Sequence, residues 1–164
     1  MIRNIFANHG ITITEEQEQK LNQYYDLLID WNNKINLTSI VEYEEVIWKH
    51  FLDSAFFVSC DKVDLNEKKK VFDLGTGAGF PGMVLAILCP DYEFVLADSL
   101  NKRIEFLKVV IDRLQIHNVS VIHGRAEELG RDENFRNQFD FVVSRSVAEL
   151  PELLEYCIPF LKKG

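Results

Sequence analysis

From Lys70 onward, short β-branched and aromatic runs alternate with stretches of helical periodicity, and no other feature of the sequence restricts the fold as strongly. The runs are VFDLG (71–75), FVLAD (94–98), VSVIHG (119–124) and FDFVVS (139–144). Three of them are nearly continuous in apolar character, as strands buried on both faces of a parallel sheet must be. Between them lie MVLAILC, then NKRIEFLKVVIDRLQI with Ile104, Leu107, Val110, Ile111 and Leu114 on one face, then a poorer helical segment around Ala126 to Arg136. Strand and helix in alternation, joined by right-handed crossovers, give a doubly wound, mostly parallel α/β sheet. The closing segment ELPELLEYCIPFLKKG reads as one more helix running to a glycine stop. Four strands with nothing to close the far edge make a thin sheet, so a shortened chain is expected.

Residues 1–65 read differently, as a helical region that packs on the α/β core of residues 66–164. Thr14-Glu15-Glu16-Gln17 has the capping-box pattern, and Leu21, Tyr24, Tyr25, Leu28, Trp31 and Ile35 then recur at spacings of three and four. A second helix is expected after Thr38-Ser39, turning Val46, Ile47, His50, Phe51 and Ser54 toward a partner. Neither helix can bury its apolar face alone.

The 164 residues hold one ordinary domain, and a composition 47% apolar and 27% charged is that of a globular chain rather than a disordered one. No run of eighteen apolar residues and no signal-peptide pattern is present, which predicts a cytoplasmic protein without a membrane partner. Cys60, Cys89 and Cys157 lie far apart without CxxC spacing and read as buried, inert thiols, and no metal site is expected. The net charge of -8 weighs mildly against nucleic acid as a partner. A local basic patch is still available if the fold gathers some of Lys68, Lys69, Lys70, Lys102, Arg103, Arg125, Lys162 and Lys163.

Behind the first strand, DLGTGAGFPG (73–82) places Gly75, Gly77, Gly79 and Gly82 in ten positions. A glycine-rich turn there lets backbone approach a ligand at the carboxyl ends of the strands. Gly77, Gly79 and Gly82 satisfy G-x-G-x-x-G, and Asp98 closes the second strand 21 residues after Gly77, the spacing of the dinucleotide fingerprint. Asp73 separates the candidate ligands. A pyrophosphate against the loop and helix N-terminus has a poor neighbour in an acidic strand end. S-adenosylmethionine has no phosphate and carries a sulfonium and an ammonium, to which a carboxylate is attractive. Asp98 would accept hydrogen bonds from ribose hydroxyls with either ligand, and it also reads as the cap of the helix near Asn101.

These residues carry a resemblance. Asp73-Leu-Gly-Thr-Gly-Ala-Gly-Phe-Pro-Gly82, Leu-Ala-Asp-Ser-Leu-Asn-Lys-Arg-Ile-Glu-Phe-Leu107, Gly-Arg-Ala-Glu127 and Ser-Arg-Ser-Val-Ala148, with Trp31-Asn-Asn-Lys-Ile-Asn-Leu-Thr38 and His50-Phe-Leu-Asp-Ser54 upstream, resemble the ribosomal RNA small subunit methyltransferase G family. The resemblance implies a Rossmann-like class I methyltransferase fold whose core continues into three more strands, including a reversed hairpin. It also implies S-adenosyl-L-methionine as methyl donor and transfer to N7 of a guanine in 16S ribosomal RNA, in naked RNA or the small ribosomal subunit, by a monomer with no DNA partner. Guanine N7 has a free lone pair and no proton, so no catalytic base is assigned and alignment of the reacting atoms is the main contribution.

By the same resemblance Gly75 and Phe80 line the donor pocket beside Asp73, Gly77 and Asp98, Ala126 and Glu127 lie near the adenine, and Arg145 stands at the mouth. Glu127 is equally readable as a first-turn helix acid, and Arg145 as half of a structural ion pair. His50 and Asp53, at i and i+3, are expected to touch each other. Two other readings remain beside this one, an NAD(P)-binding oxidoreductase domain and a non-catalytic nucleotide-binding protein.

Overall fold

The computed structural model describes residues 1–145 and 148–163. Ser146 and Val147, from the Ser-Arg-Ser-Val-Ala motif, and Gly164, the glycine after the last helix, lie outside the described residues. Four strands, β1 (Lys70–Leu74), β2 (Glu93–Asp98), β3 (Val119–His123) and β4 (Phe141–Val143), form one sheet in the order β3-β2-β1-β4. All three pairings are parallel, with Asp73 opposite Leu96 on one side and Val143 on the other. β1 is therefore the central strand at which the chain changes direction across the sheet, and the crevice of such a fold opens at its carboxyl end.

The expected burial on both faces holds for β1 and β2, whose residues after the first are buried or nearly so. β3 and β4 are only half covered, because each pairs on one side alone among the described strands. Their apolar runs reflect composition more than position.

Helix α1 (Ile2–Asn8) and α2 (Glu15–Asn32) open the chain, and α2 begins on the anticipated capping box. The Gln17 amide donates to Thr14 Oγ1 at 3.1 Å and the Thr14 amide to Gln17 Oε1 at 2.9 Å, satisfying two N–H groups that the helix cannot use. Leu21, Tyr24 and Leu28 are buried along its inner face. The second helical stretch starts later than Thr38-Ser39 and is not a plain α-helix. It runs as α3 (Tyr43–Val46), a π-helical turn (Ile47–Leu52) and α4 (Asp53–Ala55). Residues 33–42 are held instead by Asn32, whose Oδ1 accepts from the amides of Leu37 at 2.8 Å and Thr38 at 3.0 Å.

Helices α5 (Gly82–Leu88) and α6 (Asn101–Leu114) lie against one sheet face, where their side chains merge with those of α1, α2 and the π-turn in a single apolar cluster. Every residue of α5 is buried, since it is enclosed between the sheet and the N-terminal helices. Gln17 Nε2 donates to the Ile87 carbonyl at 3.2 Å, supplying a partner at the carboxyl end of α5. The other sheet face packs on α7 (Ala126–Leu129) and α8 (Leu150–Cys157) through Phe72, Leu74, Ala97, Leu129, Phe139 and Phe160. The segment to Arg136 is helical only as far as Leu129 and continues in turns. A 3-10 turn (Ile158–Phe160) follows α8, and Leu161 then bridges Phe139 in parallel.

One expectation needs correction, and one open question receives an answer. Cys60 is exposed, because the chain leaves the core at the 3-10 turn Phe56–Ser59; Cys89 is buried as expected and Cys157 is half-buried. The eight basic residues form no single patch. Lys70 starts β1 and pairs with Glu93, and Lys162 pairs with Asp140 just before β4, so both sit at the amino end of the sheet. Arg103 and Arg125 lie at the opposite end, where the strands finish in a cleft.

Candidate functional site: a cleft at the carboxyl end of the sheet

A cleft of about 530 Å3 opens where β1, β2 and β4 end. It is lined by Gly75, Gly77, Phe80, Asp98, Ala126, Glu127 and Arg145, seven of the eight residues expected there from sequence. The eighth, Asp73, is a correction. Its side chain is fully buried beneath the glycine loop rather than facing the cleft. Leu37, Thr76, Ser99, Arg103 and Tyr156 also line the cleft and were not anticipated as site residues. For Leu37, Thr76, Ser99 and Arg103 the signal was present, since all four fall within the family-like motifs; Tyr156 comes from α8, whose distance along the chain hides it.

Asp73 is instead the organiser of the loop. One oxygen, Oδ2, accepts from Thr76 Oγ1 at 2.8 Å and from the Gly82 amide at 2.7 Å, tying the strand end to the loop and to the first residue of α5. Oδ1 is buried with no partner among the described residues. Burial dominates the two hydrogen bonds, and the carboxyl is pushed up to about 7.

The four glycines divide between two tasks. Gly75 (φ +67) and Gly77 (φ +60) adopt the left-handed conformation and line the cleft, and a Cβ built on Gly77 meets nothing within 4 Å. Gly79 and Gly82 face inward. A Cβ on Gly79 would strike the Tyr24 hydroxyl and come within 2.9 Å of Met83 Cβ; one on Gly82 would lie 2.6 Å from Asp73 Oδ2. Tyr24 reaches from α2 to donate to the Ala78 carbonyl, so the N-terminal region supports the loop from below.

Asp98 bridges three segments. Oδ2 accepts from the Gly77 amide at 2.8 Å and Oδ1 from the Leu100 amide at 2.9 Å, while Arg103 lies 3.5 Å away. Asp98 thus lines the cleft but does not cap α6 as expected: the cap position is Leu100, with no side-chain cap bond, and Asp98 holds only the amide just before the helix. Arg103 Nη1 reaches both carboxylate oxygens at 3.5 Å, the longest of these contacts. Glu127 sits in the first turn of α7 and also lines the cleft.

Arg145, just past β4, reaches back to the π-helical turn. Its guanidinium donates to Ser54 Oγ and the Lys49 carbonyl, both at 3.4 Å, contacts His50 Nδ1 at 3.3 Å, and lies 3.7 Å from Asp53 Oδ2. It also stands 5.6 Å over the Phe80 ring. His50 and Asp53, expected to touch each other, converge on Arg145. The His50 ring stacks on Phe80 with centroids 4.4 Å apart, and its Nε2 lies 2.8 Å from Thr38 Oγ1.

A parallel sheet in this order, with a glycine loop after the central strand and an acidic residue closing the next, is the fold of the S-adenosylmethionine-dependent methyltransferases. A solved structure of a putative S-adenosylmethionine-dependent methyltransferase from Methanococcus maripaludis superposes with a TM-score of 0.58 at 15% identity, over 85% of this chain and 58% of that one. The chain belongs to the rRNA small subunit methyltransferase G family, whose pattern matches residues 17–164. Proteins named ribosomal RNA small subunit methyltransferase G from Lachnoclostridium phytofermentans and Alkaliphilus metalliredigens are 51% and 50% identical to it, each over 94% of this chain. The chain spans 63% and 64% of the lengths of those two relatives.

Proposed function

We propose that the cleft binds S-adenosyl-L-methionine and that the chain takes part in methylating N7 of a guanine in 16S ribosomal RNA. The observation that carries this reading is the convergence of Gly75, Gly77, Phe80, Asp98, Ala126, Glu127 and Arg145 on one cleft in a chain of this family. The residues present fit the donor. Two left-handed glycines open the wall to a close ligand, Asp98 can accept from ribose hydroxyls, Phe80 offers apolar surface, and Arg145 and Glu127 supply opposite charges. A dinucleotide fits less well, for a reason that Asp73 supplies from below. The Gly82 amide at the start of α5, the kind of helix-terminal N–H a pyrophosphate uses, is already taken by Asp73.

When bound, the donor supplies a methyl group on a cationic sulfur; the S–CH3 bond breaks as the N7–CH3 bond forms, leaving neutral S-adenosylhomocysteine and a cationic guanine. The N7 lone pair makes the new bond and no proton moves, so the chain's task is to bind and orient. Gly75 and Gly77 admit the donor against the loop, and Arg145 at the mouth is suited to an anionic group of the donor or of the RNA. The 16S ribosomal RNA or small subunit as partner, monomeric action and a cytoplasmic setting belong to the same proposal. No helix among the described residues is long and apolar enough to cross a membrane.

The test is calorimetric titration with S-adenosylhomocysteine, with reduced nicotinamide cofactor for comparison, followed by methyl transfer to unmodified ribosomal RNA. Saturable binding of S-adenosylhomocysteine alone is expected, and Gly75→Asp, which sets a carboxylate in the cleft, should abolish it. Preference for the nicotinamide cofactor would refute the reading, and donor binding without transfer to RNA or subunit would favour the non-catalytic alternative.

A further inference from the structure

His50 contributes nothing to the cleft wall, yet it lies between two residues that do. Its ring is parallel to Phe80, with an interplanar angle of 8°, and its two nitrogens face different partners. Arginine has only donors, so Nδ1, 3.3 Å from Arg145, must be the acceptor. The proton then sits on Nε2 and is donated to Thr38 Oγ1, whose hydroxyl oxygen also accepts from the Ile40 amide at 3.1 Å. One tautomer of a neutral ring satisfies every contact. The charge state agrees with it, since burial first and the Arg145 cation second hold the imidazole down at about 4, against a smaller pull from Asp53.

The π-helical turn makes this arrangement possible. Together with the α4 turn that continues it, it presents the Lys49 carbonyl, His50 Nδ1, Asp53 and Ser54 toward one guanidinium that arrives from the end of β4. A single extra residue in a helical turn is a known device for re-aiming side chains at functional sites. The Asn32-capped loop in turn fixes Thr38, and Thr38 fixes the ring.

We infer that His50 is a positioning residue for Arg145: as the neutral Nε2–H tautomer, braced by Thr38 and stacked on Phe80, it accepts from the guanidinium and holds it at the mouth of the cleft. This rests on the reading that Arg145 serves the donor cleft. Two variants separate the halves of the ring. In His50→Asn the side-chain oxygen falls near the Nδ1 position and can accept from Arg145; in His50→Gln the amide reaches the Nε2 position and keeps only the Thr38 contact.

His50→Gln should weaken S-adenosylhomocysteine binding and lower methyl transfer roughly tenfold, in keeping with loss of a hydrogen bond to a charged group, while His50→Asn recovers most of the affinity. In an Arg145→Ala background, His50→Gln should cost nothing further. Equal loss in Asn and Gln, or additive loss with Arg145→Ala, would overturn the assignment. Nitrogen-15 spectra of the histidine ring probe the contact without any ligand. The Nε2–H tautomer is expected at neutral pH with an Nδ1 resonance that moves in Arg145→Ala, and an Nδ1–H tautomer refutes the proposal. If the unaltered chain binds no S-adenosylhomocysteine, the donor reading fails on that result, and the assignment of His50 to a donor cleft falls with it even if the ring spectra show the contact.

Discussion

At Gly77 a methyl group would enter open space, while at Gly79 it would press on the Tyr24 hydroxyl and on Met83. The two substitutions should therefore fail differently. Gly77→Ala retains the loop at a cost of about 1 kcal/mol for the left-handed backbone, and its methyl points into the cleft. Gly79→Ala adds overpacking to an unfavourable φ of +107 and should cost roughly 3 kcal/mol. Thermal melts and S-adenosylhomocysteine titrations on both variants are expected to show lost affinity with modest loss of melting temperature for Gly77→Ala, and a large drop in melting temperature for Gly79→Ala. A Gly77→Ala protein with unchanged affinity would move the ligand away from this loop. Sequence spacing located the loop and Asp98 but not the division of labour among the glycines, because that depends on Tyr24 arriving beneath from α2. Asp73 was misplaced for the same reason. Its charge suggested a ligand partner, whereas its two hydrogen bonds, to Thr76 and Gly82, turn it inward.

Local signals were legible wherever they act within a few residues. The Thr14–Gln17 box, the alternation of strands and helices, and the all-apolar α5 are each set by short-range periodicity and capping. The π-helical turn was not, since its sequence IWKHFL has ordinary helical character and the residues that its His50 meets, Phe80 and Arg145, lie far along the chain. That turn has a measurable signature in acid. His50 is held at about 4 when folded against its ordinary 6.5, by burial and then by Arg145, with Asp53 opposing. The unfolded chain therefore takes up the proton first, and stability from this group is lost as pH falls from about 6.5 to about 4. Asp73, raised to about 7, works in the opposite direction, because the folded chain keeps its proton longer as pH rises from 3.8. Comparing the unaltered chain with His50→Asn cancels the Asp73 contribution. The melting temperature of the unaltered chain should fall more steeply than that of the variant across this window, and parallel curves would mean that His50 is charged in the folded state.

The apolar cluster on one sheet face does not stop at the boundary near residue 65. Leu21, Tyr24, Leu28, Val46 and Phe51 from the helical region pack with Met83, Val84, Phe106 and Leu107 from the α/β region in one contiguous core. Without residues 1–65, α5 would expose an outer face that has no polar residue to present to water, the Ala78 carbonyl would lose Tyr24, and Arg145 would lose Ser54, Lys49, His50 and Asp53 together. The opposite face, built on Phe72, Phe139 and Phe160, is too small to hold the sheet alone. A fragment of residues 66–164 is thus expected to lack a cooperative thermal transition, to lose near-ultraviolet circular dichroism while keeping part of its secondary structure, and to bind a hydrophobic dye, whereas the whole chain melts in one step. A fragment that melts cooperatively would show that the N-terminal helices are an accessory. Its affinity for S-adenosylhomocysteine would then say whether those helices matter to the cleft only through Arg145.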